Sequence, residues 1–157
     1  MKAHEFSIES RLRESADNLW TQVTQMRGVN WELAPLVYMT AATRWKNQPL
    51  ATWPLNRRVF RSLILLFRII PVDVHSFRLA AMEKFRFEED STSWMNASWK
   101  HTRTLIPKSD GGCVVRDEIR YASRIPFMGR LYLPVYRFVF ANRHRWLRRR
   151  YGLGKPK

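Results

Sequence analysis

Three side chains capable of polar or acid–base chemistry, His101, Arg103 and Asp117, occupy positions where the local pattern calls for apolar residues. Between residues 95 and 105 the odd positions read Met95, Ala97, Trp99, His101, Arg103 and Leu105, while Asn96, Ser98, Lys100, Thr102 and Thr104 are all polar. That period of two marks a strand with one wet face. After a turn signal at residues 107–112 the alternation resumes, with Cys113, Val115, Asp117, Ile119 and Tyr121 on one side and Arg116, Glu118 and Arg120 on the other. A three-residue turn at 109–111 sets Arg103 opposite Asp117 and His101 opposite Ile119. A guanidinium, a carboxylate and an imidazole therefore share the apolar face of one hairpin.

Desolvating a lone charge is expensive, and removing one member of a buried pair typically costs about 3–5 kcal/mol. Two uses of the cluster fit that constraint. Arg103 and Asp117 can form a structural pair that holds strand register. Alternatively, the face lines a cavity in which His101, Arg103 and Asp117 orient a mostly hydrophobic ligand with a polar or acidic end, and Trp99, Ile119, Tyr121 and Phe138 supply apolar wall. His101 is the weak catalytic candidate, because no serine, cysteine or second carboxylate is placed by the sequence to pair with it around a nucleophile. The four histidines are far apart in sequence, and only His101 is expected on the cavity face.

These residues need a scaffold, and the rest of the chain outlines one. Residues 4–13 alternate as a half-buried first strand. Ser15 is positioned as an N-cap, and Ala16, Leu19, Trp20, Val23 and Met26 recur at helical spacing until Gly28 stops the run. A second short helix is expected between Asn30 and Pro35. Strands are expected over residues 36–44, 59–70 and 74–82, with an irregular excursion at 45–58 and a turn at Pro71-Val72-Asp73. Phe85 and Phe87 alternate with charged neighbours ahead of a turn at residues 89–93. A long terminal helix starts near Phe127, or more firmly at Pro134, and ends at Gly152. Leu131, Val135, Phe138, Val139 and Trp146 form one apolar stripe along it, and Tyr136, Phe140, Leu147 and Tyr151 a second. A helix apolar on two sides is expected to be gripped broadly.

The 157 residues fit one domain, and 45% hydrophobic and 13% aromatic content suffices for a core. A single cysteine, Cys113, excludes an internal disulfide framework, and Met1 to Phe6 lack the apolar run of a secretory signal. The chain is read as cytoplasmic, peripheral to the inner membrane at most. Residues 59–72 are its most apolar window, but Arg61, Arg68 and Pro71 interrupt it well short of a bilayer span of roughly 20 residues.

Net charge is +15, with 28 basic and 13 acidic residues, and the last acid is Glu118. Beyond it come Arg120, Arg124, Arg130, Arg137, Arg143, Arg145, Arg148, Arg149, Arg150, Lys155 and Lys157. Such asymmetry attracts anionic surfaces, either phospholipid or RNA. Arg143, Arg145, Arg148, Arg149 and Arg150 form the expected contact collar. His144 among them is expected to be solvated near a helix C-terminus.

The order of strand, two short helices, antiparallel strands and one long helix resembles the START-like (SRPBCC, polyketide-cyclase-like) superfamily. The spaced Trp99, His101 and Arg103, the lone inward Asp117, Leu63 to Leu66 leading into Pro71, and residues 140–148 look like a little-characterised bacterial branch of it. The resemblance implies an α+β helix-grip fold, a curved antiparallel sheet wrapped around the C-terminal helix, as a single domain over 1–152 with a short basic tail at 153–157. It also implies a cavity for lipids, sterols, polyketides or other hydrophobic or amphiphilic small molecules. Residues 67–70 and 81–85 lack the glycines expected there, which would narrow or reshape the pocket mouth. The leading expectation is a binding protein for such a ligand, docking on anionic membrane and needing neither cofactor nor metal. One alternative is a cyclase- or hydro-lyase-type enzyme using His101 in the same cavity. Another is an RNA- or ribosome-binding module, with the arginine collar holding phosphates and Trp146 and Tyr151 stacking on bases.

Overall fold

The structure is a computed structural model that describes residues 1–153; apart from Leu153, the expected basic tail lies outside the described residues. Strand β1 (Ala3–Leu12) leads into helices α1 (Ala16–Val23) and α2 (Met26–Leu33). A short β2 (Val37–Met39), a single-turn α3 (Thr43–Lys46) and a 3-10 turn (Leu50–Thr52) follow. Strands β3 (Arg58–Leu66), β4 (Ile70–Glu83), β5 (Arg86–Ser93), β6 (Asn96–Pro107) and β7 (Cys113–Ser123) precede helix α4 (Met128–Tyr151). The seven strands form one antiparallel sheet in the order β1-β7-β6-β5-β4-β3-β2, which curls round α4 in the helix-grip arrangement.

Local chemistry explains the boundaries. Ser15 caps α1 by accepting the Asn18 N–H at 3.3 Å. Helix α1 ends at Val23 rather than at Gly28. Gly28 instead sits inside α2, where a Cβ would lie 1.9 Å from the Gln22 carbonyl oxygen, so only glycine lets the two helices meet. The β6–β7 register pairs Arg103 with Asp117 and His101 with Ile119.

Other boundaries differ from the expected ones. The β3–β4 turn falls at Phe67 and Arg68, both with positive φ, and Pro71 lies within β4. Phe85 also has positive φ, so both glycine-lacking segments hold left-handed backbone. Residues 89–93 continue β5 instead of turning, because their inward polar side chains are satisfied by neighbours. Ser91 Oγ accepts the Arg78 N–H, and Ser93 Oγ accepts the Asn96 N–H. The expected 36–44 strand is cut to β2 at residues 37–39, with Leu36 and Thr40 adding one backbone hydrogen bond each, and Arg44 belongs to α3. Pro134 lies inside α4, which begins at Met128.

Helix α4 packs most closely on β1, β7 and α2, and β6 reaches it through Asn96, Trp99 and His101. Tyr132, Phe140 and Leu147 are buried, while Leu131, Val135 and Phe138 are 63%, 55% and 57% exposed. The second predicted stripe is thus the gripped one, and the first half of the other faces outward. One core cluster joins Leu12, Leu19, Val23, Leu105, Val115 and Leu147; another gathers Met26, Leu50, Trp53, Phe60, Phe77, Leu79 and Phe87 beneath α1 and α2.

Candidate functional site

The concave face carries a buried polar network centred on Asp117. Alternation along β7 turns this carboxylate inward, and Arg103 on β6 meets it in a fork, Nε to Oδ1 and Nη2 to Oδ2, both at 2.7 Å. The other end of the guanidinium donates to Glu32 of α2 at 2.9 Å, and Arg143 of α4 donates to the same carboxylate at 2.9 and 3.0 Å. Arg103 and Asp117 are both fully buried. Such a double fork satisfies the planar donors of arginine and binds β6, β7, α2 and α4 together.

Three histidines extend the network across the sheet. His101 Nε2 lies 2.8 Å from Asp117 Oδ1, and His144 Nε2 lies 2.9 Å from Asp117 Oδ2. His144 Nδ1 meets Ser10 Oγ at 2.8 Å, and that hydroxyl accepts from Arg148 at 2.7 Å. Because the Asp117 carboxylate only accepts, His144 Nε2 carries a hydrogen toward it, and the Ser10 hydroxyl, which accepts from Arg148, engages the ring's other nitrogen. On the far side Glu89 bonds His75 Nε2 at 2.5 Å, and its other oxygen stands 3.7 Å from His101 Nδ1. A row of His75, Glu89, His101, Asp117 and His144 thus alternates imidazole with carboxylate across β4, β5, β6, β7 and α4.

Burial by itself raises the Asp117 carboxyl, but the Arg103 charge and hydrogen bonds, aided by His101, hold it well below the ordinary carboxylate range. Burial likewise opposes ionisation of Glu89, and His75 and His101 outweigh it, so this carboxyl too is lowered. Arg103 is pushed upward, since Asp117 and Glu32 more than offset its desolvation. The cluster is charged, paired and internally satisfied.

Beside it lies an aromatic wall. Trp99 contacts Tyr121, Tyr136 and Phe140 with ring centroids 6.2, 5.1 and 6.4 Å away. Tyr121 is buried, its hydroxyl donates to the Gly129 carbonyl at 2.6 Å, and burial pushes its phenol up to about 12. Ile119 is buried with it, whereas Trp99 and Tyr136 are half-buried. Trp99, His101, Arg103, Asp117, Ile119 and Tyr121 therefore share one concave surface.

Three expectations need correction. Phe138 is not cavity wall, because its position on α4 turns it away from the sheet. Arg143 is not part of a solvent-facing collar: the buried Glu32 carboxylate draws its guanidinium inward, to 5% exposure. His144 is fully buried, not solvated, since Asp117 and Ser10 engage both of its ring nitrogens. Of the collar, Arg145, Arg149 and Arg150 stay exposed and Arg148 is half-buried.

Glu32 and His75 escaped the sequence reading. Glu32 lies in a helix read only for its apolar residues, although an inward arginine on β6 called for more than one acid. His75 alternates with Asp73, Phe77 and Leu79 on the inward side of β4, a signal that the misplaced turn at 71–73 obscured. The stacking residues are also occupied: Arg149 covers Trp146, Arg150 covers Tyr151 and Trp31, and Trp146 packs edge-on against Trp31. Two cavities of about 350 and 580 Å³ flank α2; Glu32 is the only residue of the network that lines either.

A family model described as "Domain of unknown function (DUF8410)" matches residues 10–151. No curated protein sequence matches the chain. Among solved structures, a START superfamily protein from Mycobacterium smegmatis is similar with a TM-score of 0.67 at 8% identity, covering 94% of this chain and 97% of its own. A protein from Chromobacterium violaceum aligns with a TM-score of 0.65 at 11% identity, over 91% and 96% of the two chains. A norcoclaurine synthase point mutant from Thalictrum flavum, bound to a transition-state analogue, aligns with a TM-score of 0.58 at 12% identity, over 95% and 97%. At these identities the likeness is one of fold.

Proposed function

The chain belongs to the DUF8410 domain family, and from its START-like fold we propose that it holds a hydrophobic or amphiphilic small molecule between the sheet and α4, loading and releasing it at an anionic membrane. The observation that carries this reading is a set of large apolar side chains left in solvent at one end of the molecule. Phe67, Ile69 and Ile70 at the β3–β4 turn, Trp94 at the β5–β6 turn, and Ile125 and Phe127 ahead of α4 are all more than half exposed, Phe127 at 91%. The chain order puts these turns at the same end of the sheet, near the half-buried Trp99 and Tyr136. Exposed apolar groups gathered at one end of the molecule are what a ligand exchanging with lipid requires.

The outward face of α4 continues the surface. Leu131, Val135 and Phe138 recur at helical spacing, and Arg145 and Arg149 lie further along the same face, roughly 21–27 Å beyond Leu131 at about 1.5 Å per residue. Apolar residues flanked by arginines are suited to an anionic bilayer interface. In this reading Phe138 faces lipid instead of ligand, and Arg145, Arg149 and Arg150 carry the electrostatic share. No helix among the described residues is long and apolar enough to cross a membrane, so the contact is at the surface.

Within the interior, Trp99, Ile119 and Tyr121 supply wall. Arg103, Asp117 and His101 hold its floor in shape through the bonds described above, and the closed fork of Arg103 favours that supporting role over direct ligand contact. The test is native mass spectrometry of gently purified protein followed by organic extraction. A discrete bound lipid or amphiphile is expected. A bare chain mass that persists after incubation with membrane extract would overturn the reading.

A further inference from the structure

Between Glu32 and Asp73 the sequence holds no acidic residue but six basic ones, Arg44, Lys46, Arg57, Arg58, Arg61 and Arg68. The fold brings two of these, Lys46 of α3 and Arg68 of the β3–β4 turn, to one cleft with Arg27 of α2, the larger of the two cavities beside that helix, at about 580 Å³. Trp31, Pro35, Val37 and Tyr38 give the cleft an apolar wall. No carboxylate lines it, and among the described residues none of the three cations pairs with one. Glu32 lines the other cavity and is committed to Arg103 and Arg143.

The cleft is held in shape. Asn30, on the same face of α2 as Arg27 and Trp31, clamps β2 by donating to the Met39 carbonyl at 3.0 Å and accepting the Met39 N–H at 2.8 Å. The Arg68 guanidinium lies over the Tyr38 ring, 4.9 Å from its centroid, and such stacking orients its plane. Arg68 and Phe67 before it have φ of 65° and 50°, a region that glycine enters freely and other residues only at a cost. The turn that lacks the expected glycines thus carries an arginine into the cleft, flanked by the exposed Phe67 and Ile69.

We propose that this cleft binds the phosphate head of an anionic phospholipid, as a membrane anchor separate from the interior that holds the ligand. The proposal rests on the membrane-docking part of the reading above. Arg68 lies between two of the apolar residues placed at the lipid surface, so a head in the cleft leaves its chains beside Phe67 and Ile69. Three cations on three elements match a phosphomonoester, with about two negative charges and three acceptor oxygens, better than a phosphodiester with about one charge. Arginine meets such oxygens in a fork and lysine as a point charge. The volume falls in the range of about 300–1,000 Å³ that suits an organic molecule rather than a bare ion. The apolar wall gives the glycerol backbone a surface to pack on.

The experiment measures co-sedimentation with phosphatidylcholine vesicles carrying either phosphatidate or phosphatidylglycerol, at matched surface charge and one ionic strength. The full chain is expected to bind the phosphatidate vesicles at least about fivefold more tightly, the worth of about one basic side chain at an anionic surface. Arg27→Gln combined with Arg68→Gln should bring that ratio to one. Arg145→Ala combined with Arg149→Ala should weaken binding to both vesicles and leave the ratio unchanged. All four are exposed side chains, so the fold tolerates their replacement. Soluble dihexanoyl phosphatidate is expected to displace the chain from phosphatidate vesicles at lower concentration than glycerol 3-phosphate, which separates a lipid from a free phosphate ester. Equal binding to the two vesicles, a ratio that survives in the cleft variant or is lost in the α4 variant, or glycerol 3-phosphate competing as well as the short lipid would overturn this proposal and leave membrane docking standing. Failure to bind either vesicle would overturn both.

Discussion

Replacing Asp117 with asparagine tests whether the central network holds the fold together. The substitution conserves volume, so no cavity opens and the effect is electrostatic. Four hydrogen bonds converge on the carboxylate, from Arg103 Nε and His101 on Oδ1 and from Arg103 Nη2 and His144 on Oδ2. An amide places an NH2 group where one oxygen stood. If that end faces His144, the ring can exchange tautomers with Ser10 and become an acceptor, but Arg103 Nη2 still meets a donor. Charge balance is lost as well, leaving Arg103 and Arg143 to share the single carboxylate of Glu32. One or two charge-assisted bonds at about 1.5–3 kcal/mol each, together with an uncompensated buried cation, give a loss of about 3–5 kcal/mol. That is a large part of the ~5–15 kcal/mol typical of a domain. Urea unfolding followed by tryptophan fluorescence should show a lower midpoint at an unchanged slope. A loss under about 1 kcal/mol would refute the claim that Asp117 anchors the interior.

The two groups of C-terminal arginines should separate in the same assay. Arg143→Ala, which leaves buried Glu32 with Arg103 as its remaining arginine partner, is expected to cost about 3 kcal/mol, whereas Arg145→Ala on the exposed face should stay within about 0.5 kcal/mol; equal effects would contradict the division. In vesicle co-sedimentation the pattern should reverse, with Arg145→Ala combined with Arg149→Ala weakening binding to anionic vesicles. The pH dependence has a definite sign. Asp117 and Glu89 have folded-state pKa values below their unfolded values of about 3.9 and 4.3, so their stabilisation is present above those values and lost as pH falls through and below them. Acid titration from neutral pH should therefore show stability falling below about pH 4, and Glu89→Gln should shallow that fall. A wild type that gains stability on acidification would contradict the assignment.

The hairpin was legible because its signals are local. A period of two fixes which side chains share a face, and a short turn fixes what lies opposite, so the apposition of Arg103 and Asp117 follows from residues 95–121 alone. The Ser15 cap and the Gly152 end of α4 are equally local. Errors arose where polar residues look alike in a turn and in a strand. Residues 89–93 read as a turn by composition, yet they form β5 because His75, Arg78 and Asn96 satisfy Glu89, Ser91 and Ser93.

The sequence by itself determined that one face of the β6–β7 hairpin is both apolar and charged, that a long helix closes the chain, and that the positive charge accumulates at its end. Those properties depend on periodicity and composition, which need no distant partner. Only the tertiary structure decided what the charges do. Glu32, 71 residues from Arg103, closes the guanidinium fork, and Ser10, 134 residues from His144, engages the Nδ1 of that ring. The curl of the sheet also chose which side of α4 is gripped, burying Phe140 and Leu147 and leaving Leu131, Val135 and Phe138 in solvent. A helix with two apolar stripes is ambiguous until a sheet packs against one of them, and the energy that selects the stripe comes from contacts between residues far apart in the chain.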